Sequence, residues 1–239
     1  MRLDAELPEH PELPEHPELV QLGARWAQKP DGETGLAYGH ALAARGLMDR
    51  AADVYTQLIA NDYPVGYYEL AWLEHDRGRH ERADALLQAY LDTTATPDEF
   101  ADHAAGVLGH WRWHSPNRTD AEALLRRGAA HYPSARADLG HLLRARGDDQ
   151  EAEAVLRAGV AARELDSYLP LANLLDETGR SDEAEQLYRD GFDLGDAFCA
   201  FNLSLLLERH GRDDEAAAWL RKAADGGDHA AIRRLAGLD

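Results

Sequence analysis

The order of apolar and polar positions repeats along the C-terminal half of the chain. Between Leu139 and Asp228, three successive rows each begin with an apolar segment of helical periodicity, pass through a glycine accompanied by acidic residues, and continue with a segment that opens on Glu-Ala. The turn glycines Gly147, Gly179 and Gly211 are 32 residues apart. A helix, turn and helix that recur at a fixed step are typical of a solenoid. The pattern therefore predicts stacked pairs of antiparallel helices.

Two positions of each repeat carry small residues, one in the first helix (helix A) and one early in the second (helix B). The helix-A residues are Gly39, Ala71, Gly109, Gly140, Ala172, Ser204 and Ala236, and the helix-B residues are Ala51, Ala83, Ala121, Ala152, Ala184 and Ala216. Small side chains at these positions would let the two helices approach closely, while larger residues such as Tyr55 and Tyr188 fill the remaining space. We predict an all-α fold of about six repeats, at approximately residues 33–63, 64–97, 102–133, 134–164, 165–196 and 197–228.

The third repeat departs from this register. The longer step between Ala83 and Ala121 indicates an insertion over residues 95–104, and His114-Ser115-Pro116-Asn117 stands where the other turns have glycine. We therefore expect an irregular connection on either side of the first helix of this repeat.

The two ends of the repeat domain, residues 18–239, are expected to be covered by capping helices. A helix over residues 18–29 would carry Leu19, Leu22 and Trp26 on one stripe, and residues 229–239 would form the C-terminal cap. Residues 1–17 contain the hexapeptide ELPEHP twice, which predicts a flexible, extended tail because prolines interrupt helices and no apolar stripe is present. A docking peptide is the alternative interpretation of this tail.

The recurring small residues, turn glycines and alanines resemble the tetratricopeptide repeat family and its relatives, the Sel1-like repeats. The last repeat, with its Asn-Leu, Trp-Leu and Lys-Ala-Ala segments, is the most similar to Sel1-like repeats. The resemblance covers most of the chain. It implies a right-handed α-solenoid with a concave groove lined by the A helices, and it implies binding of a protein segment rather than a chemical reaction.

The charge narrows the choice of partners. The chain has 44 acidic and 25 basic residues and a formal net charge of −19, which disfavours nucleic acid and an anionic membrane surface as partners. A neutral or basic protein or peptide is expected.

No segment approaches the roughly 18 apolar residues of a membrane span, and the N-terminus lacks a signal-peptide core, so a cytoplasmic protein is expected. The single cysteine, Cys199, leaves no internal disulfide.

No known catalytic motif is present, so we predict a non-enzymatic adaptor without catalytic residues or cofactor. The candidate binding residues are those that the repeat phase places on the groove side of the A helices. They are Tyr68, Glu69, Trp72, His75, His103, His110, Trp113, His114, Asp138, His141, Asn173, Asn202 and Arg234. The first half of this set is rich in aromatic residues and histidine, and the second half carries amides.

Two alternatives come from the same residues. His110 and His114 are four residues apart on one helix and, with Asp138 and His141 on the next A helix, have the spacing of a metal site, so a metal- or small-ligand-binding protein is the second interpretation.

Asn173, Asn202 and Arg234 resemble part of the family's clamp for a C-terminal carboxylate. Its two lysine positions hold Leu169 and Ala230, so backbone recognition by the two amides is favoured over a clamp. A purely structural spacer is the third interpretation.

Overall fold

The computed structural model describes residues 16–93, 98–116, 118 and 120–238. This part of the chain contains fourteen α-helices and one short 3₁₀ turn, and no strand. The predicted all-α class and the pairing of consecutive helices are confirmed. The tail predicted over residues 1–17 lies outside the described residues except for His16 and Pro17.

The helices group into two compact units that divide between Thr96 and Pro97. The first unit contains α1 (Pro17–Gln28), α2 (Gly32–Ala43), α3 (Met48–Ala60), α4 (Val65–Asp76) and α5 (His80–Thr93). Helices α2 and α3 form one pair, α4 and α5 form the next, and α1 packs on α2. The first unit therefore holds two repeats preceded by a single helix.

The second unit holds four helix pairs followed by one further helix. Its helices are α6 (Glu99–Trp113), α7 (Ala121–Gly128), α8 (Pro133–Arg146), α9 (Asp149–Ala161), α10 (Tyr168–Glu177), α11 (Ser181–Asp193), α12 (Ala197–Arg209), α13 (Asp213–Asp225) and α14 (His229–Leu235). The 3₁₀ turn Leu165–Ser167 precedes α10. In each pair the even-numbered helix is helix A and the odd-numbered one is helix B.

The small residues lie where helices A and B cross. Every helix-B alanine of the predicted register is at most 2% exposed. A Cβ atom on Gly140 would lie 2.6 Å from Cδ2 of Leu156, and one on Gly39 would lie 2.3 Å from Cε1 of Tyr55. Both distances are shorter than any normal carbon–carbon contact. The helix-A glycine is therefore covered by the large side chain of its own repeat, which explains the pairing of small and large positions.

The turn glycines end the A helices in the left-handed conformation. Gly147, Gly179 and Gly211 have φ values of +86°, +80° and +71°. The backbone amide of the residue after each glycine donates to the carbonyl of a buried leucine five residues earlier, as from Asp148 to Leu143 at 2.9 Å. This is the Schellman arrangement that satisfies the last carbonyls of a helix. The 32-residue step therefore repeats a specific helix end.

The third repeat is built differently. Helix α6 begins at Glu99, where the Asp98 side chain accepts a hydrogen bond from the backbone amide of Ala101 at 2.7 Å. Most of the insertion expected over residues 95–104 is therefore the first part of this helix. Its partner α7 has 8 residues, whereas α9, α11 and α13 have 13 each. The two helices nevertheless approach closely, because a Cβ atom on Gly128 would lie 2.1 Å from Cα of Gly106.

The capping helices differ from expectation in detail. Helix α1 begins at Pro17, one residue early, since proline suits the first helical position, and it buries Leu19 and Trp26. The apolar side chains of the C-terminal segment contribute little to its packing, because Ile232, Leu235 and Leu238 are 43%, 49% and 62% exposed. Helix α14 is held instead through buried Ala231 and the capping carboxylate of Asp228, because small residues permit its close contact with α13.

Candidate functional site

The A helices of the second unit form a continuous layer. Helix α6 contacts α8, α8 contacts α10, and α10 contacts α12, whereas successive B helices have fewer contacts among the described residues. The A helices are therefore the more closely spaced layer of this stack. We call the exposed side of α6, α8, α10, α12 and α14 the A-helix face.

All predicted site residues lie on A helices or at their ends, but they belong to two units. Helix α4 of the first unit carries four of them, and the A helices of the second unit carry nine. The four are Tyr68, Glu69, Trp72 and His75; the nine are His103, His110, Trp113, His114, Asp138, His141, Asn173, Asn202 and Arg234.

Two histidines of α6 converge on one carboxylate of α8. The side chain of Asp138 is only 8% exposed. Its Oδ2 atom lies 2.6 Å from Nδ1 of His110, and its Oδ1 atom lies 3.0 Å from Nε2 of His114. The two imidazoles stand edge to face, with ring centroids 4.7 Å apart. We call these three residues the His–Asp cluster.

The potential ligand atoms of the His–Asp cluster lie within 4.8 Å of one another. His141, the fourth residue of the predicted metal site, is not part of this group. The ring of His141 is exposed, yet partial desolvation by the packed helices lowers its pKa, while Asp138 acts in the opposite direction.

Two other predicted residues of this region are engaged in packing. Nδ1 of His103 lies 2.9 Å from the carbonyl oxygen of His131, and its ring contacts that of Tyr132. Trp113 packs against the buried core around Leu125, and the Arg118 guanidinium lies 4.4 Å from its ring centroid. These side chains thus join helices within the third and fourth repeats.

A polar cavity lies farther along the A-helix face, between α10 and α12. Its volume is about 440 Å³, and it is lined by Asn173, Asp176, Glu177, Tyr188, Asn202 and Arg209. The hydroxyl of buried Tyr188 donates to Oδ1 of Asn173 at 2.7 Å, which orients that amide. Nδ2 of Asn202 donates to the carbonyl of Phe198 at 2.9 Å. Both predicted amides therefore line one cavity, and each is held by an internal hydrogen bond.

Ion pairs between neighbouring A helices are the feature that sequence reasoning missed. Arg144 of α8 pairs with Glu177 of α10 at 2.5 Å, and Arg209 of α12 pairs with Asp176 of α10. The two residues of each pair are 33 positions apart in the sequence, close to one repeat length. This spacing is the sequence feature from which the ion pairs could have been predicted.

The predicted Arg234 belongs to the same set of ion pairs. Its Nη2 donates to both carboxylate oxygens of Glu208, at 3.0 and 2.7 Å. The guanidinium of Arg234 is thus already neutralised, and the acidic residues of this part of the face are neutralised in turn. An amide-rich cavity bounded by ion pairs results.

The predicted residues of the first unit form a row along α4. The rings of Tyr68 and Trp72 are 6.4 Å apart, and those of Trp72 and His75 are 5.9 Å apart, both edge to face. Glu69 pairs with His40 of α2 at 2.8 Å. All four residues are half-buried.

A family model described as tetratricopeptide repeat matches residues 36–99 and 169–231, more than half of the chain. The chain belongs to the tetratricopeptide repeat family. Tetratricopeptide repeats form scaffolds for protein–protein interaction, and proteins of the family are generally non-enzymatic. The likeness of the last repeat to Sel1-like repeats remains a prediction.

Solved tetratricopeptide repeat structures share the fold. A chain of the APC/C hetero-tetramer Cut9–Hcn1 superposes with a TM-score of 0.65 and 15% identity over 89% of this chain, which spans 43% of that longer chain. The C-terminal part of a repeat-containing protein from Cytophaga hutchinsonii gives 0.60 and 13%, covering 90% of this chain and 92% of its own. A protein from Parabacteroides merdae gives 0.57 and 18%, covering 92% and 90%.

The low identities mean that these structures show the fold alone. No curated protein matches the chain. Among the described residues, no helix is both long enough and apolar enough to cross a membrane.

Proposed function

We propose that the protein is a non-enzymatic adaptor that holds an extended peptide, or a segment of another protein, on the A-helix face of its second unit. The observation that supports this proposal is the amide-lined cavity between α10 and α12, of about 440 Å³. Binding sites generally combine a concave surface with a few oriented polar groups. The cavity has both features, and it lies on the family's usual interaction side.

The oriented amide of Asn173 suits the backbone of an extended peptide. Its oxygen accepts the Tyr188 hydroxyl, and its NH₂ group has no hydrogen bond among the described residues. An NH₂ donor beside the cavity can bond to a peptide carbonyl whatever the side chain of that peptide residue. This part of the site therefore contributes affinity rather than sequence preference.

A second cavity on the same face supplies a place for a side chain. It has a volume of about 240 Å³, lies between α12 and α14, and is lined by Phe201, Ala230, Arg233 and Arg234. Packed helices are about 10 Å apart, and an extended chain rises about 3.3 Å per residue, so a peptide advances about three residues per repeat. A segment of roughly six to eight residues with one apolar side chain spans both cavities.

Charge limits the kind of peptide. The acidic residues beside the first cavity, Asp176 and Glu177, are paired with Arg209 and Arg144, and the chain as a whole carries a formal charge of −19. We therefore propose a neutral or moderately basic peptide and disfavour an acidic one, nucleic acid and an anionic membrane. The aromatic row of α4 in the first unit, including Trp72, is proposed as a further contact surface.

A peptide selection tests the proposal. A random peptide library is panned on the full chain, and selected peptides are measured by fluorescence anisotropy against three variants. Asn173→Asp keeps the oxygen that Tyr188 uses and removes the NH₂ donor, and Asn202→Ala removes the second amide. Both are expected to weaken binding about tenfold or more, the loss of roughly one good hydrogen bond.

Gln186→Ala is the matched control, because Gln186 is an exposed amide on helix B of the same repeat as Asn173. It is expected to leave peptide affinity unchanged. Selected peptides that bind all three variants as well as the original chain would place the binding surface elsewhere. Failure to enrich any peptide would favour the structural-spacer interpretation. The alternative of a metal- or small-ligand-binding protein concerns the His–Asp cluster and is a separate proposal.

A further inference from the structure

In the part of the chain that the structure describes, the buried carboxylate of Asp138 is paired with histidines rather than with a permanently charged side chain. Among the described residues its polar partners are the imidazoles of His110 and His114, and no arginine or lysine pairs with it. A carboxylate removed from water is costly unless a positive charge or several hydrogen-bond donors compensate it. Asp138 differs in this respect from Asp176, Glu177 and Glu208 on the same face, each of which is paired with an arginine. The His–Asp cluster thus has a place for one cation.

We propose that the His–Asp cluster binds a divalent first-row transition-metal ion, with zinc as the best-suited ion. Two imidazole nitrogens and one carboxylate oxygen form a mixed donor set that zinc accepts readily. Magnesium and calcium prefer oxygen-only ligands, so they suit this set poorly. The proposal is independent of peptide binding.

The geometry requires only a small adjustment. A tetrahedral zinc ion with bonds of about 2.1 Å needs its ligand atoms about 3.4 Å apart. The cluster already places Nδ1 of His110 and Nε2 of His114 at 2.6 and 3.0 Å from the Asp138 oxygens, with all ligand atoms within 4.8 Å. His114 is 57% exposed, so its ring can turn towards the ion. Asp138 is held by the core of the unit and supplies the fixed ligand.

The site is open on its exposed side. Three protein ligands leave at least one position of a tetrahedral ion for water or for a group from a partner, since His141 is outside the cluster. The ion would also join α6 of the third repeat to α8 of the fourth, next to the short helix α7 of 8 residues. We therefore expect metal binding to raise the thermal stability of the protein.

Zinc titration of the full chain without an affinity tag tests the proposal. Isothermal titration with zinc chloride is expected to give one equivalent per chain, and His114→Ala and Asp138→Asn are each expected to weaken binding at least tenfold. The cobalt complex is expected to show the intense visible absorption of tetrahedral coordination, and this absorption should be lost in both variants. Binding should weaken as the pH falls, because protons compete for the imidazole nitrogens.

Two control variants separate this site from other histidines. His40→Ala removes an exposed imidazole that pairs with a single carboxylate, that of Glu69, and His10→Ala with His16→Ala removes the tail histidines; both are expected to bind zinc normally. Asn173→Asp should also bind zinc normally, which keeps this test distinct from the peptide test. The proposal is overturned if His114→Ala and Asp138→Asn retain full affinity, if the tail variant abolishes binding, or if no binding is detected at about 100 µM zinc.

Discussion

A buried glutamate occupies one position of α4 where α2, α8, α10 and α12 have leucine before their turn glycine. Glu74 lies four residues before Gly78, as Leu42 lies before Gly46, and its side chain is 1% exposed. Leu143, Leu175 and Leu207 hold the same position before their glycines and are fully buried. The Glu74 carboxylate is compensated by Arg79 at 3.0 Å, Arg77 at 3.5 Å and Arg82 at 3.6 Å. A charged group therefore replaces an apolar contact at the end of α4.

Replacing Glu74 by leucine is expected to leave the stability unchanged or to raise it. Leucine fills the position as in the other repeats. Arg79 and Arg82 can return to water and Arg77 keeps its pair with Asp49 at 2.8 Å, so the desolvation cost of the carboxylate disappears. Glu74→Ala is the matched comparison. It removes the charge without filling the space and is expected to lower the free energy of unfolding by about 2 kcal/mol. Urea denaturation measures both; an equal loss in the two variants would mean that the arginine cluster itself stabilises this turn.

At the scale of helices, arginine–glutamate pairs link successive repeats on the B-helix side. Glu153 of α9 accepts hydrogen bonds from Arg180 and from Arg157, the latter at 2.8 Å. One repeat later, Arg212 bonds to Glu185 of α11 at 2.6 Å. The pair Glu153–Arg180 and the pair Glu185–Arg212 each span 27 residues. The same link therefore recurs with the repeat.

These pairs should make stability depend on acid. Hydrogen bonding from Arg180 holds the pKa of Glu153 at about 2, with Arg157 contributing. An unfolded glutamate titrates near 4.3, so the stabilisation is complete above that pH and is lost as the pH falls towards 2. Glu153→Gln is expected to lose less stability than the original chain between about pH 5 and pH 3. The difference should be below about 1 kcal/mol, since the pair is partly exposed.

Urea unfolding at constant ionic strength at the two pH values measures this difference. Asp53→Asn in α3 is the control, because Asp53 is exposed and has no ion pair among the described residues. Its pH dependence should match that of the original chain. Equal acid sensitivity of Glu153→Gln and the original chain would contradict a stabilising role for the link.

At the scale of the whole molecule, helix α1 and the residues that precede it should contribute differently to stability. The first unit owes part of its core to α1, because Leu19 and Trp26 join the cluster that contains Leu42, Tyr55 and Leu58. Residues 1–15 have the proline-rich ELPEHP pattern, which offers no apolar stripe for burial. We therefore expect α1 to be needed for a stable fold and the residues before it to be dispensable.

Removal of residues 1–15 is expected to leave the melting temperature within about 1 °C of the full chain, as for changes that expose no core. Removal of residues 1–28 is the comparison. It takes away Leu19 and Trp26, and it should lower the melting temperature by about 5 °C or more. Differential scanning calorimetry on both truncations decides the matter. A large loss on the shorter truncation would show that the tail packs on the repeats.

The helix pairs, their turns and the small residues at their crossings were predictable because all three are local. Three features each restrict the residue types within a single repeat: the helix period, a left-handed turn that favours glycine, and a helix crossing that excludes a Cβ atom. Gly147, Gly179 and Gly211 end their helices as the pattern predicts. The placing of His110 and His114 on one helix side follows from the same periodicity.

Contacts between repeats were decided only by the tertiary structure. Sequence placed Asp138 and His141 together beside the α6 histidines, yet only Asp138 joins them. It likewise named Arg234 as a binding residue and did not predict its ion pair with Glu208. The repeat pattern predicts which side of a helix a residue occupies, but not how neighbouring helices are rotated. That rotation and the reach of each side chain determine which partner on the next helix is contacted.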